Sequence, residues 1–154
     1  MIRSRIILVV EDNPDDIELT LRAFEKSNVV NEIVVARDGE QALDYLFATG
    51  PQAGRDPNAM PEAVLLDLKL PKIDGLSVLR RLRADERTRR LPVIILTSSS
   101  EERDIVSSYD LGANSFVRKP VDFHEFVDAA RQLGFYWLVL NEPPPQRAPR
   151  GKSG

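Results

Sequence analysis

The chain has 154 residues and a net charge of −3, from 21 basic and 24 acidic side chains, which fits one domain and gives no global attraction for nucleic acid. It has no cysteine and one histidine, His124, which excludes disulfides, thiol catalysis, zinc sites built on sulfur and multi-histidine metal centres. Hydrophobic residues are 42%, no apolar run approaches the ~20 residues that span a bilayer, and the amino terminus has no secretory cleavage pattern, so a cytoplasmic protein without membrane association is expected.

Residues 5–10 are a short, β-branched aliphatic run, the pattern of a strand buried on both faces. Glu11-Asp12-Asn13-Pro14 ends it. Asn13 is a helix cap, Pro14 suits the first helical position, and Asp15 and Asp16 suit the positive end of a helix. Ile17, Leu21 and Phe24 then predict an amphipathic helix to about Asn28. Glu32–Ala36 is a second strand, Asp38-Gly39 punctuates it, and Ala42, Leu43, Leu46 and Phe47 mark a second helix. Residues 48–61, rich in glycine, proline and polar groups, read as a long surface loop. A third strand, Ala63–Leu66, stops at Asp67, and Leu76, Val78, Leu79 and Leu82 share one side of a helix starting near Gly75.

A fourth strand over 92–96 ends at Thr97. A weaker helix over about 101–111 follows, its apolar content limited to Ile105, Val106, Tyr109 and Leu111. A fifth strand over 115–117 precedes Lys119-Pro120, and a last helix starts near Asp122. Strand–helix alternation with short connections specifies an α/β fold, a doubly wound five-stranded parallel sheet with helices on both faces and right-handed crossovers. The expected domain covers 1–140 and includes an extended last helix. Residues 141–154, with Pro143, Pro144, Pro145 and Pro149 and the bases Arg147, Arg150 and Lys152, are expected to be a Pro-rich flexible tail.

In an open parallel sheet, ligands bind outside the carboxyl ends of the strands. Here strand one ends in Glu11-Asp12, strand three in Asp67 and strand four in Thr97-Ser98, while strand five leads to Lys119. Carboxylates gathered on one rim repel unless a cation intervenes, and a small open site of oxygen ligands suits Mg²⁺. A lysine and a hydroxyl opposite them equip the rim for a phosphoryl group, and an aspartate can itself be the nucleophile, giving an acyl phosphate. Asp67, at the centre, is the candidate phosphoacceptor. Helix capping alone explains Asn13 and Pro14 but not the two acids before them.

Glu11-Asp12, the run Asp67-Leu68-Lys69-Leu70-Pro71-Lys72-Ile73-Asp74-Gly75, then Leu96-Thr97-Ser98-Ser99, and Phe116-Val117-Arg118-Lys119-Pro120 resemble the receiver domain of two-component response regulators, over about residues 5–133. The resemblance implies a flavodoxin-like (βα)5 fold with strand order 2-1-3-4-5. It implies that Asp67 takes a phosphoryl group from a histidine kinase. Mg²⁺ would be held by Asp12, by Glu11 partly through water, by Asp67 and by the backbone carbonyl of Lys69. Thr97 would bind a phosphoryl oxygen and Lys119 would pair with it, and Thr97 and Phe116 would move together as the conformational switch. Many receivers carry tyrosine where Phe116 stands; phenylalanine has no hydroxyl to bond in the outward position.

The loop 48–61, Leu70-Pro71 and the aromatic carboxyl-terminal segment resemble the small response regulators paired with bacterial phytochrome histidine kinases, which implies such a kinase as partner. Phe135, Tyr136, Trp137, Leu138 and Leu140 exceed what one helix face can bury, so they are the candidate homodimer interface. Past Lys119 there is room for one helix and a tail, so a stand-alone receiver is expected, an enzyme only toward its own phosphorylation and dephosphorylation. The alternatives are a phosphorelay shuttle or motility-type receiver serving another sensor, a constitutive module, and an aspartyl-phosphate phosphatase. The last is disfavoured because Lys69 stands where such enzymes carry a second aspartate. Arg80, Arg81 and Arg83 with Arg87, Arg89 and Arg90 read as a solvated helix face, and His124 as a surface residue.

Overall fold

The computed structural model describes residues 6–26 and 31–98, positions 104, 107, 109–113 and 115–118, and His124 and Val127. Its five strands are β1 (Ile6–Val10), β2 (Glu32–Ala36), β3 (Ala63–Leu66), β4 (Val93–Thr97) and β5 (Ser115–Arg118). All pairings are parallel and the order is β2-β1-β3-β4-β5, as expected. The register sets Val10 level with both Ala36 and Leu66. The residues that leave β1 and β3 therefore emerge side by side.

Alternation along each strand sends side chains to two separate cores. Leu8, Val10, Val64, Leu66, Val93 and Ile95 pack with α2 (Gly39–Phe47) and α3 (Gly75–Ala84). Ile7, Val9, Ala63, Leu65, Ile94 and Leu96 pack on the other face with Ala23 and Phe24 of α1 (Pro14–Lys26) and with Val127. A sheet covered on both faces needs unbroken aliphatic strands, which is what these segments supply.

Several local expectations are corrected. On α1 the buried stripe is Ile17, Thr20, Ala23 and Phe24, while Leu21 is 37% exposed. The period of 3.6 carries the sheet-facing line from Ile17 through Thr20 to Phe24, and Leu21 falls on its margin. Tyr109, counted as apolar content of its helix, is 50% exposed. The stretch 48–61 is a surface loop, as expected, with local structure of its own. It contains a 3-10 turn at Gly50–Gln52 and is pinned by Arg55, whose Nε donates to the Tyr45 carbonyl at 2.9 Å and whose Nη1 donates to that of Ala59 at 3.0 Å. The same guanidinium lies 4.0 Å from the centre of the Tyr45 ring.

The arginine run is also only partly a solvated face. Arg83 is directed inward to carbonyl oxygens, while Arg81 and Arg87 each lie 5.2 Å from the Phe47 ring centre. His124 is exposed and helical, as expected. Lys119, the segment with Phe135, Tyr136, Trp137, Leu138 and Leu140, and the tail 141–154 lie outside the described residues.

Candidate functional site

The rim is built by strand ends and helix starts. Glu11 follows β1 with its amide donating to the Ala36 carbonyl (2.9 Å), and Asp67 follows β3 with its amide donating to the Val10 carbonyl (3.1 Å). The ladder is thus continued one residue past the last aliphatic pair on both strands, fixing where the two carboxylates begin. Glu11 and Asp67 are buried, at 4% and 5% exposure, and Asp12 between β1 and α1 is exposed.

Each acid is oriented by its local turn. Glu11 Oε2 accepts from the Asn13 amide at 3.1 Å, and Asn13 Oδ1 caps α1 by accepting from Asp15 (2.8 Å) and Asp16 (3.2 Å). Asp67 Oδ1 accepts from the Lys69 amide at 3.0 Å. The loop after Asp67 is folded back on itself: the Gly75 amide donates to the Leu68 carbonyl at 2.9 Å, and Asp74 caps α3 by accepting from Ser77 at 2.8 Å. A side chain at 75 would overlap the Asp67 carbonyl oxygen and lie 2.6 Å from Leu68 Cα, so α3 starts in contact with the Asp67 backbone. Only glycine permits that approach.

Carboxylate oxygens of Glu11, Asp12 and Asp67 lie within 4.8 Å of one another. The cluster predicted from strand ends is therefore assembled. Its donors are all oxygen, two of the three acids are held by the fold, and the third is open to solvent. That set fits a hard divalent cation such as Mg²⁺, which would remove the mutual repulsion of the three charges. Thr97 is the last residue of β4 and Phe116 lies within β5, paired in register with Ile95. The side chains of Thr97 and Phe116, on which the switch reading depends, are outside what the structure describes, as is Lys119.

A family model described as the response regulator receiver domain matches residues 7–131. The chain belongs to that family. The receiver is 55% identical to the bacteriophytochrome response regulator AtBRR, with a TM-score of 0.74 over 92% of this chain and 100% of that one. It is 36% identical to the phosphorylated cyanobacterial phytochrome response regulator RcpA, with a TM-score of 0.81 over 92% and 99%. Against Mn²⁺-bound Rcp1 the identity is 31% and the TM-score 0.79 over 91% and 99%. A curated relative from Methanothrix harundinacea, the probable methanogenesis regulatory protein FilR2, is 40% identical over 90% of this chain and 87% of its own length.

Receivers of this family are signalling proteins of two-component systems rather than classical enzymes, and they bind Mg²⁺ in an acidic pocket. Among the described residues, no helix is long and apolar enough to cross a membrane. Two residues that join the loop after Asp67 to the start of α2 escaped the sequence reading. Gly39 read only as punctuation after Asp38, and Lys72 only as one position of the Asp67 motif. Their contacts join segments about thirty residues apart, and local periodicity carries no signal for such a pairing.

Proposed function

We propose that this receiver is phosphorylated on Asp67 by a histidine kinase of the bacterial phytochrome class, in a Mg²⁺-dependent reaction in the cytoplasm, and changes conformation in response. The observation that carries it is the convergence of Glu11, Asp12 and Asp67 within 4.8 Å at the carboxyl ends of two adjacent strands. The similarity to AtBRR and to phosphorylated RcpA supports the phytochrome pairing, and Mn²⁺ in Rcp1 supports a divalent ion.

In this reading Glu11, Asp12, the Asp67 carboxylate and the Lys69 carbonyl hold the metal. Bound Mg²⁺ supplies charge neutralisation for the transferring phosphoryl oxygens. The Lys69 amide on Asp67 Oδ1 fixes the rotation of the carboxylate, so that one of its oxygens meets phosphorus in line with the departing group. A bond from Asp67 to phosphorus forms, the bond from phosphorus to the kinase histidine breaks, and the histidine nitrogen retains the electron pair. The Thr97 hydroxyl and the Lys119 ammonium take the phosphoryl oxygens, and movement of Thr97 with Phe116 reports the new state. The receiver domain reaches to about residue 140 and pairs as a homodimer through Phe135, Tyr136, Trp137, Leu138 and Leu140. The relationship to FilR2 favours a second reading, the same chemistry driven by a different sensor kinase.

The test is incubation with Mg²⁺ and a small acyl-phosphate donor. Stoichiometric labelling that is acid-stable, base-labile, abolished by chelation and absent from Asp67→Asn is expected. No label from any donor would overturn the reading, and rapid turnover of phosphate esters would replace it with a phosphatase. Transfer from an autophosphorylated bacteriophytochrome kinase within a minute, against slow transfer from unrelated kinases, separates the two sensor readings. Truncation before Phe135 should lower the mass seen by light scattering; an unchanged mass removes the interface.

A further inference from the structure

We propose that Gly39 and Lys72 are positioning residues for Asp67, fastening the phosphoacceptor loop to the start of α2. The proposal rests on the reading of Asp67 above. The loop from Asp67 to Asp74 has its inner side on α3, through Gly75. Its outer side lies on the segment 38–40. There the Gly39 amide points at the Pro71 carbonyl at 3.4 Å, and a Cβ on residue 39 would overlap the Ile73 carbonyl oxygen and stand 2.7 Å from its carbon. Those are backbone atoms and cannot rotate away. Glycine at 39 is required by the neighbouring loop, not by its own dihedral angles, and alanine would otherwise be the better residue in a first helical turn.

Lys72 makes the second fastening. Its φ is 69°, in the left-handed region that non-glycine residues seldom occupy. From there its ammonium reaches Asp38 at 3.8 Å and Glu40 at 3.6 Å, on either side of Gly39. The Glu40 pair is exposed on both sides and weak. The Asp38 side chain is only 10% exposed, and its Oδ1 also caps α2 by accepting from the Gln41 amide at 2.7 Å, so that carboxylate is held in place before Lys72 arrives. Residues 38–40 thus grip 71–73 by backbone contact and by charge. The same short loop carries the Lys69 amide that orients Asp67. Displacing 71–73 outward moves Lys69, and with it the direction of the Asp67 carboxylate relative to Glu11 and Asp12.

The deciding experiment is Gly39→Ala in the full chain, followed by ¹H–¹⁵N spectra, calorimetric Mg²⁺ titration and acyl-phosphate labelling. The Lys69 amide resonance should move, the Mg²⁺ dissociation constant should rise about fivefold and labelling should slow about tenfold, with the urea midpoint little changed. A folded Gly39→Ala protein with an unmoved Lys69 amide and wild-type Mg²⁺ affinity overturns the proposal. Should Gly39→Ala fail to fold, Lys72→Glu decides at an exposed side chain. It should weaken Mg²⁺ about threefold while Lys72→Arg restores binding, and unchanged binding in Lys72→Glu overturns the proposal. The Lys69 resonance needs neither phosphate nor metal. A wild-type protein that binds Mg²⁺ but never labels would sink the phosphorylation reading and leave the positioning role to be judged on that resonance.

Discussion

At the amino ends of β4 and β5 one cation is surrounded by acceptors, whereas at the carboxyl ends of β1 and β3 three carboxylates crowd within 4.8 Å of one another. The cation is Arg83. It donates to the carbonyl oxygens of Thr88, Arg89 and Leu91 at 3.3, 3.0 and 2.9 Å, just before β4, and to those of Leu111 and Gly112 at 2.8 Å each, just before β5. Burial pulls its pKa below the usual guanidinium range, yet the group remains ionised at neutral pH. Charge at that end is matched by oriented dipoles and ties α3 to two strands. At the other end three carboxylates share one rim, an arrangement that a bound divalent cation would neutralise. The contrast separates residues that hold the sheet from residues that act on a ligand.

Replacing the matched cation should produce the largest loss. Arg83→Met strands five carbonyls near the sheet and should cost about 3 kcal/mol in urea unfolding, with Mg²⁺ affinity unchanged. A loss below about 1 kcal/mol would mean that water replaces the guanidinium freely. Next is Thr88→Val at the same end. The Thr88 hydroxyl is fully buried and donates to the Leu82 carbonyl at 2.6 Å, so its removal should cost about 1–2 kcal/mol with no effect on labelling.

At the acidic end the effect falls on the metal. Glu11→Gln removes one of three carboxylates and should weaken Mg²⁺ about tenfold. Wild-type protein at one hundred times its dissociation constant should gain ~2.7 kcal/mol of stability from the metal. Unchanged Mg²⁺ affinity in Glu11→Gln would show that the cluster is not a ligand set.

The smallest effect is confined to alkaline pH. Burial pushes the Tyr45 phenol above its ordinary 10.0, with Arg55 opposing and Glu32 adding to the rise. The folded state therefore favours the neutral ring. Its contribution is complete below pH 10 and is lost as pH rises through the raised folded value. Tyr45→Phe should flatten that alkaline limb of the stability curve and change stability at pH 7 by no more than about 0.5 kcal/mol. An unaltered limb would show that the phenol is solvated.

The strands and the three acids of the rim were legible in the chain because each depends on local pattern, aliphatic runs that stop at a polar residue; the strand order came from the resemblance of the motifs to receiver domains. Asn13 capping α1 was likewise legible from local pattern. Leu21 was misjudged because Ile17, Leu21 and Phe24 satisfy helical spacing as well as Ile17, Thr20 and Phe24 do, and only docking on the sheet chooses between them. The arginine run looked like a solvated face because a sequence shows how many cations a segment carries but not which one meets carbonyls.

By itself the sequence determined a five-stranded α/β fold with Glu11, Asp12 and Asp67 at strand ends, since periodicity and strand termination are properties of neighbouring residues, and its motifs resembled those of receivers. The tertiary structure alone decided that Arg83 binds the carbonyl of Gly112, 29 positions away, that Arg55 pins its loop to Tyr45, and that Gly39 abuts Ile73. These contacts form between segments brought together by packing of separate elements. Their partners are set by how helices dock on the sheet, and that geometry is a property of the whole core rather than of any stretch of chain.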